Sequence, residues 1–189
     1  MGITLERARI AEDLLETLSM LMGRLRGGLG IAVILVGMLM AASTGIVGAT
    51  VITMGLLSLP TMLKRGYDPA IATGTITAAG TLGQIIPPSI VLVLLGDVLS
   101  SAFQQAQLSQ GVFRPETVSV GDLFMGALFP GLLLVAMYII FLLLTAWRKP
   151  ASMPAWQADE TETRTTIELV VRIVKALLPA LALILTVLG

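Results

Sequence analysis

The sequence predicts an all-α polytopic membrane protein made of a re-entrant helical hairpin, a broken transmembrane helix and two further spans. Three observations carry this expectation. The 189 residues are 56% hydrophobic and only 13% charged, with a mean hydropathy of +0.92, far too apolar for a soluble domain of this size. Lys and Arg gather at the edges of the apolar runs, which is how positive charge marks cytoplasmic ends. Finally, glycines, prolines and hydroxyl residues interrupt two of those runs, where an ordinary span would have none. Net charge is zero, so no general attraction to nucleic acid is expected. The absence of Cys and His removes disulfides, thiol nucleophiles and the commonest zinc or haem ligands. No enzyme activity and no cofactor are expected.

Residues 1–26 read as an amphipathic, interfacial helix. Ile10, Leu14, Leu18 and Leu21 recur at helical spacing, while Glu6, Arg9, Glu12, Asp13 and Glu16 fill the opposite side. The charge-free stretch 27–63 is divided by Ala41-Ala42-Ser43-Thr44-Gly45 into arms at Gly30–Met40 and Ile46–Leu63. Two complete spans need about 20 residues each plus a turn. Arg24 and Arg26 precede the stretch and Lys64 and Arg65 follow it, so both ends belong on one face and the segment reads as a re-entrant hairpin. Gly37, Ala41 and Gly45, four residues apart, give one arm a small face for close packing, and a single kinked span or two short spans packed on small residues is the alternative.

Asp68-Pro69 signals a helix start. The span over 67–100 is broken at Gly80-Thr81-Leu82-Gly83-Gln84-Ile85-Ile86-Pro87-Pro88-Ser89, because prolines lack the N–H a helix needs and glycines loosen the backbone upstream. Asp97 sits near the outer end of this span and is expected at the interface. Residues 101–121 read as an external loop, 122–147 as a transmembrane helix interrupted at Pro130-Gly131, 148–166 as a solvated cytoplasmic loop, and 167–189 as a last transmembrane helix.

The two breaks offer the same chemistry. Ser43, Thr44, Thr81 and Ser89 supply hydroxyls, and carbonyls are freed around Gly45, Gly80 and Gly83. Unpaired backbone groups are tolerated at membrane depth only where they face protein, water or an ion. Hard neutral oxygens suit a small alkali cation, and helix N-termini at such breaks offer N–H groups to a carboxylate. Paired breaks in successive segments point to a secondary transporter. A non-transporting assembly protein, with glycines and prolines serving packing alone, is the competing reading.

The segments Ile10–Leu18, Ala41–Ala49, Leu63–Tyr67 and Gly74–Gly96, the last containing Gly-Thr-Leu-Gly-Gln-Ile-Ile-Pro-Pro-Ser, closely resemble the large membrane (permease) subunit of tripartite ATP-independent periplasmic (TRAP) transporters. The resemblance runs over nearly the whole chain. It implies one repeat of an inverted-repeat, elevator-type importer in the bacterial inner membrane, coupled to sodium. The implied partners are a small TRAP membrane subunit, a periplasmic substrate-binding protein and membrane lipid, and the implied substrates are small organic acids, including four-carbon dicarboxylates and sialic acid. By position, sodium would be held by Ser43, Thr44, Gly45, Gly80, Thr81 and Gly83, and the substrate by Ser43, Thr44, Pro87, Pro88 and Ser89. The polar stretch with Gln104, Gln105 and Gln107 looks similar to a subgroup labelled for mannitol or chloroaromatic compounds. Family members are about twice as long and carry a second, inverted repeat, so the resemblance also implies a fragment holding one half-site and inactive by itself.

Overall fold

The computed structural model describes the backbone of residues 10–22, 25–112, 114 and 116–155, and their side chains except at 10–13 and 41–44. Residues 1–9 of the amphipathic segment and the expected helix 167–189 lie outside the described residues.

Every regular element among the described residues is helical: α1 (Ile10–Met22), α2 (Gly28–Thr44), α3 (Val47–Lys64), α4 (Pro69–Thr81), a 3-10 turn (Leu82–Gln84), α5 (Ile90–Ser109), α6 (Val120–Arg148) and a second 3-10 turn (Pro150–Ser152). Helices α3, α5 and α6 are long and apolar enough to cross a membrane. At 1.5 Å per residue the 29 residues of α6 reach about 43 Å, well beyond a hydrocarbon core of about 30 Å, whereas the 17 residues of α2 reach only about 25 Å.

Helix α2 is the centre of the molecule. Leu29, Ile31, Ala32, Val33, Ile34, Val36 and Met40 are all buried, and the helix packs against α1, α3, α4, the 3-10 turn and α6. Lipid is as apolar as leucine, so close approach of backbones must hold such a helix in place, and small residues permit that approach. A Cβ added at Gly37 would lie 2.5 Å from the Ala79 Cβ of α4, and one at Gly30 would lie 3.1 Å from Leu142 Cδ1 of α6.

Helix α1 packs along α2, so its partner lies within the chain itself. Its contact face is wider than the apolar spacing suggests, because Leu14, Leu15, Thr17, Leu18 and Ser19 are buried while Leu21 is exposed. Ser19 turns its hydroxyl back onto the Glu16 carbonyl at 2.8 Å, which removes the penalty of burying it.

Three boundaries differ from the sequence reading. Helix α5 continues through Ser109, taking in the first nine residues of the expected external loop, because 101–109 contains neither Gly nor Pro and includes good helix formers in Ala and Gln. Helix α6 passes through Pro130 without interruption; Pro130 is exposed, whereas Gly131 is buried, against Ile85 and Ile86. The loop after α6 is not wholly solvated. Met153 is fully buried with its sulfur 3.7 Å from a Cβ built on Gly27, and the Asp68 N–H donates to the Ser152 carbonyl at 3.0 Å. The chain thus folds back over the foot of the α2–α3 hairpin.

Candidate functional site

The hairpin turns at Gly45-Ile46. Gly45 has φ +62°, the left-handed region that costs other residues about 1–2 kcal/mol, and this single residue lets α2 end and α3 begin without a longer loop. Ile46 is extended at φ −126° and carries no side-chain cap. Its carbonyl accepts both the Thr50 N–H at 3.2 Å and the Thr50 hydroxyl at 3.0 Å, so the buried hydroxyl is paired one turn back.

The second break begins where α4 tightens into the 3-10 turn at Leu82–Gln84. Asp68 caps α4 at its start, accepting from the Ala70 N–H at 2.9 Å and the Ile71 N–H at 3.3 Å. Past the turn, Ile85 and Ile86 both donate to the Leu82 carbonyl, at 3.0 and 2.8 Å. The Pro87–Pro88 bond is cis. Ser89 then starts α5: its hydroxyl donates to the Gln84 carbonyl at 2.8 Å and accepts from the Leu92 N–H at 3.3 Å. Ser89 is buried and acts here as a helix cap that also fixes the preceding loop.

The hairpin turn and the broken span meet. A Cβ on Gly45 would stand 3.3 Å from the Pro88 carbonyl oxygen and 3.5 Å from Ile90 Cγ1. The Gln84 Nε2–H donates to the Gly45 carbonyl at 3.2 Å, across 39 residues of chain, while Gln84 Oε1 is buried and has no partner among the described residues. Three neutral oxygens, the carbonyls of Gly45 and Pro88 and the amide oxygen of Gln84, therefore belong to one neighbourhood. Oxygens of this kind fit a monovalent cation: they are hard, carry no formal charge, and one has no partner among the described residues.

The remaining sequence-predicted residues have distinct placements. Gly80 and Gly83 are buried. Gly80 lies inside α4 against Val51 of α3, with no room for a side chain, so its smallness serves helix contact. Thr81 donates its hydroxyl to the Ala78 carbonyl at 2.7 Å, leaving its lone pairs available. Pro87 is fully buried and Pro88 partly so. Ser43 and Thr44 close α2 beside Gly45, but their side chains lie outside the described residues. Asp97 is exposed on α5. Gln84 is the residue that reasoning from hydroxyls and glycines passes over. Its signal was its isolation, as the one amide within an apolar motif.

At the opposite end of the hairpin, the Gly30 N–H donates to the Tyr67 hydroxyl at 3.4 Å and Arg65 Nη2 donates to Ser19 Oγ at 3.4 Å. Burial pushes the Tyr67 phenol above its ordinary pKa and pulls the Arg65 guanidinium below its own. This cluster ties α1 and the feet of α2 and α3 together, remote from the breaks.

A family model for the tripartite ATP-independent periplasmic transporter DctM component matches residues 1–189. The chain belongs to the DctM family. It is 34% identical over 148 residues to the C4-dicarboxylate TRAP transporter large permease protein DctM of Rhodobacter capsulatus, covering 78% of this chain and 32% of that protein. It is 39% identical over 137 residues to the Vibrio cholerae protein of the same description, covering 72% and 26%. It is also 34% identical over 132 residues to the isethionate TRAP transporter permease protein DctMQ of Oleidesulfovibrio alaskensis, covering 70% and 18%. The match spans about a third or less of the length of these curated relatives. No solved structure matches. As a DctM-family chain with three helices able to cross a bilayer, it is a multi-pass protein of the bacterial inner membrane.

Proposed function

We propose that this chain is part of the membrane permease of a sodium-coupled, binding-protein-dependent secondary importer of small organic acids. The observation that carries the reading is the junction of the two breaks, where the Gly45 and Pro88 carbonyls and the Gln84 amide converge between a hairpin and a discontinuous span. Discontinuous helices at such a junction are the usual place for substrate and coupling ion in secondary transporters. The capped N-terminus of α5 at Ser89 adds N–H groups and a positive dipole end beside the cation neighbourhood, suited to a substrate carboxylate. Relatives named for C4-dicarboxylate and isethionate support a small anionic substrate.

In this reading α2 and α3 form a re-entrant hairpin. The short reach of α2 and the basic residues at both feet support that topology. Ser43, Thr44, Gly45, Gly80, Thr81 and Gly83 line the sodium side, and Ser43, Thr44, Pro87, Pro88 and Ser89 the substrate side. A small membrane subunit and a periplasmic binding protein complete the complex. The chain needs no cofactor, performs no bond-making chemistry, and forms one repeat of an elevator-type carrier.

The test is uptake into proteoliposomes by the complete complex under an imposed sodium gradient. Uptake is expected to follow the gradient, and Ser43→Ala and Thr81→Ala are each expected to raise the sodium concentration for half-maximal uptake by roughly tenfold, about 1.4 kcal/mol of ion affinity. Unchanged sodium dependence in both variants overturns the site assignment. Uptake indifferent to sodium overturns the coupling.

A further inference from the structure

We infer that Gln84 is a switching ligand of this site: Nε2–H holds the Gly45 carbonyl when no cation is present, and on binding the amide releases that carbonyl to the ion and adds Oε1 as a further oxygen. The inference rests on the sodium-coupled reading above. It starts from an asymmetry in one side chain. Gln84 Nε2 has a partner 3.2 Å away on the hairpin, whereas Oε1 is buried and has none among the described residues. Buried amide oxygens are ordinarily paired, so an acceptor left open on the same amide that holds the Gly45 carbonyl is a ready ligand for a cation.

The local structure allows the exchange. The Gln84 backbone is fixed on both sides: its carbonyl takes the Ser89 hydroxyl at 2.8 Å, and the Leu82 carbonyl takes the next two N–H groups. The terminal torsion of a glutamine is broad and roughly two-fold. A half-turn about it puts Oε1 where Nε2 was without moving the backbone. Donor and acceptor are thus interchangeable at one point in space. With the ion absent, the amide N–H supplies the positive end that the Gly45 carbonyl requires at membrane depth; with the ion present, the same side chain contributes an acceptor. Gly45 is left-handed at φ +62°, so its carbonyl direction is set by the turn, and it cannot readily find another donor within α3. A brace that served packing alone predicts the opposite response to mutation, because removing the N–H would free the carbonyl and favour the ion.

Thermal unfolding of the natural full-length protein, solubilised with its partner subunits, is measured against NaCl with choline chloride holding ionic strength constant. The parent is expected to be stabilised by sodium specifically. Gln84→Met, of similar length with neither donor nor acceptor oxygen, is expected to raise the half-saturating sodium concentration by roughly tenfold. Gln84→Asn, which keeps the amide but falls one methylene short, moves the same way and carries the test should the Met variant not assemble. Half-saturation that is unchanged or lower in the variants, with the parent still stabilised by sodium, overturns the role of Gln84 alone. A parent that responds equally to sodium and choline overturns this inference together with the sodium reading.

Discussion

Helices α2 and α5 are both apolar, yet the protein encloses one and leaves the other to its surroundings. Almost every side chain of α2 between Leu29 and Met40 is buried or partly buried, and α5 buries only Gly96. Hydrophobicity does not separate them, since in a bilayer an apolar side chain is at home in either place. Backbone proximity does. Helix α2 offers Gly30 to α6 and Gly37 to α4, and α4 answers with Ala79, while its Gly80 admits Val51 of α3. The buried residue of α5 is Gly96, where an added Cβ would be 2.9 Å from Val120 Cγ2 of α6. Small residues therefore decide which apolar helix becomes interior.

The sharpest way to break this contrast is on α4, which carries a crowded glycine and an open one. Gly80→Leu drives a side chain into Val51 and is expected to destabilise by about 3 kcal/mol or more, seen as loss of monodisperse protein after detergent extraction. Gly74→Leu has nothing within 4 Å and should extract like the parent. Equal behaviour of the two would remove small-residue packing as the cause. Next come truncations of equal chemistry. Ile34→Ala, at 1% exposure, is expected to lose about 2–5 kcal/mol, and Leu94→Ala, at 61% exposure, less than about 0.5 kcal/mol, as read from denaturant-induced unfolding.

Smaller effects probe the junction of the breaks. Gly45→Ala puts a Cβ 3.3 Å from the Pro88 carbonyl at a left-handed position and is expected to cost about 1–2 kcal/mol, with a lowered unfolding midpoint as the readout. Ser89→Ala removes one cap of α5, worth about 1 kcal/mol. Its signature is faster hydrogen exchange in 90–93 while α2 remains as protected as in the parent.

The elements were legible in the sequence because Gly and Pro punctuate it, and because two hydroxyl-rich interruptions in apolar segments are hard to explain otherwise. Asp68-Pro69 as a helix start rests on local chemistry alone and is realised locally. Tertiary context set what local chemistry could not. Pro60 and Pro130 sit inside continuous helices, so proline alone does not mark a break; Pro87-Pro88 differs in being a pair, with glycines just upstream. Gly131 serves contact with Ile86 instead of interruption, which depends on where α6 crosses the broken span. Ser89 reads as a candidate ligand by residue type, but its hydroxyl is engaged by two partners nearby. Gln84 was hidden because its significance lies in a contact 39 residues away.

The loop that folds back after α6 has a mechanical consequence. Through Met153 on Gly27 and Ser152 on Asp68, one short segment grips the feet of both α2 and α4, the helices that lead to the two breaks. It works as a tie rod. Displacing the foot of α2 against that of α4 would have to break either the packing of Met153 on Gly27 or the hydrogen bond from the Asp68 N–H to the Ser152 carbonyl.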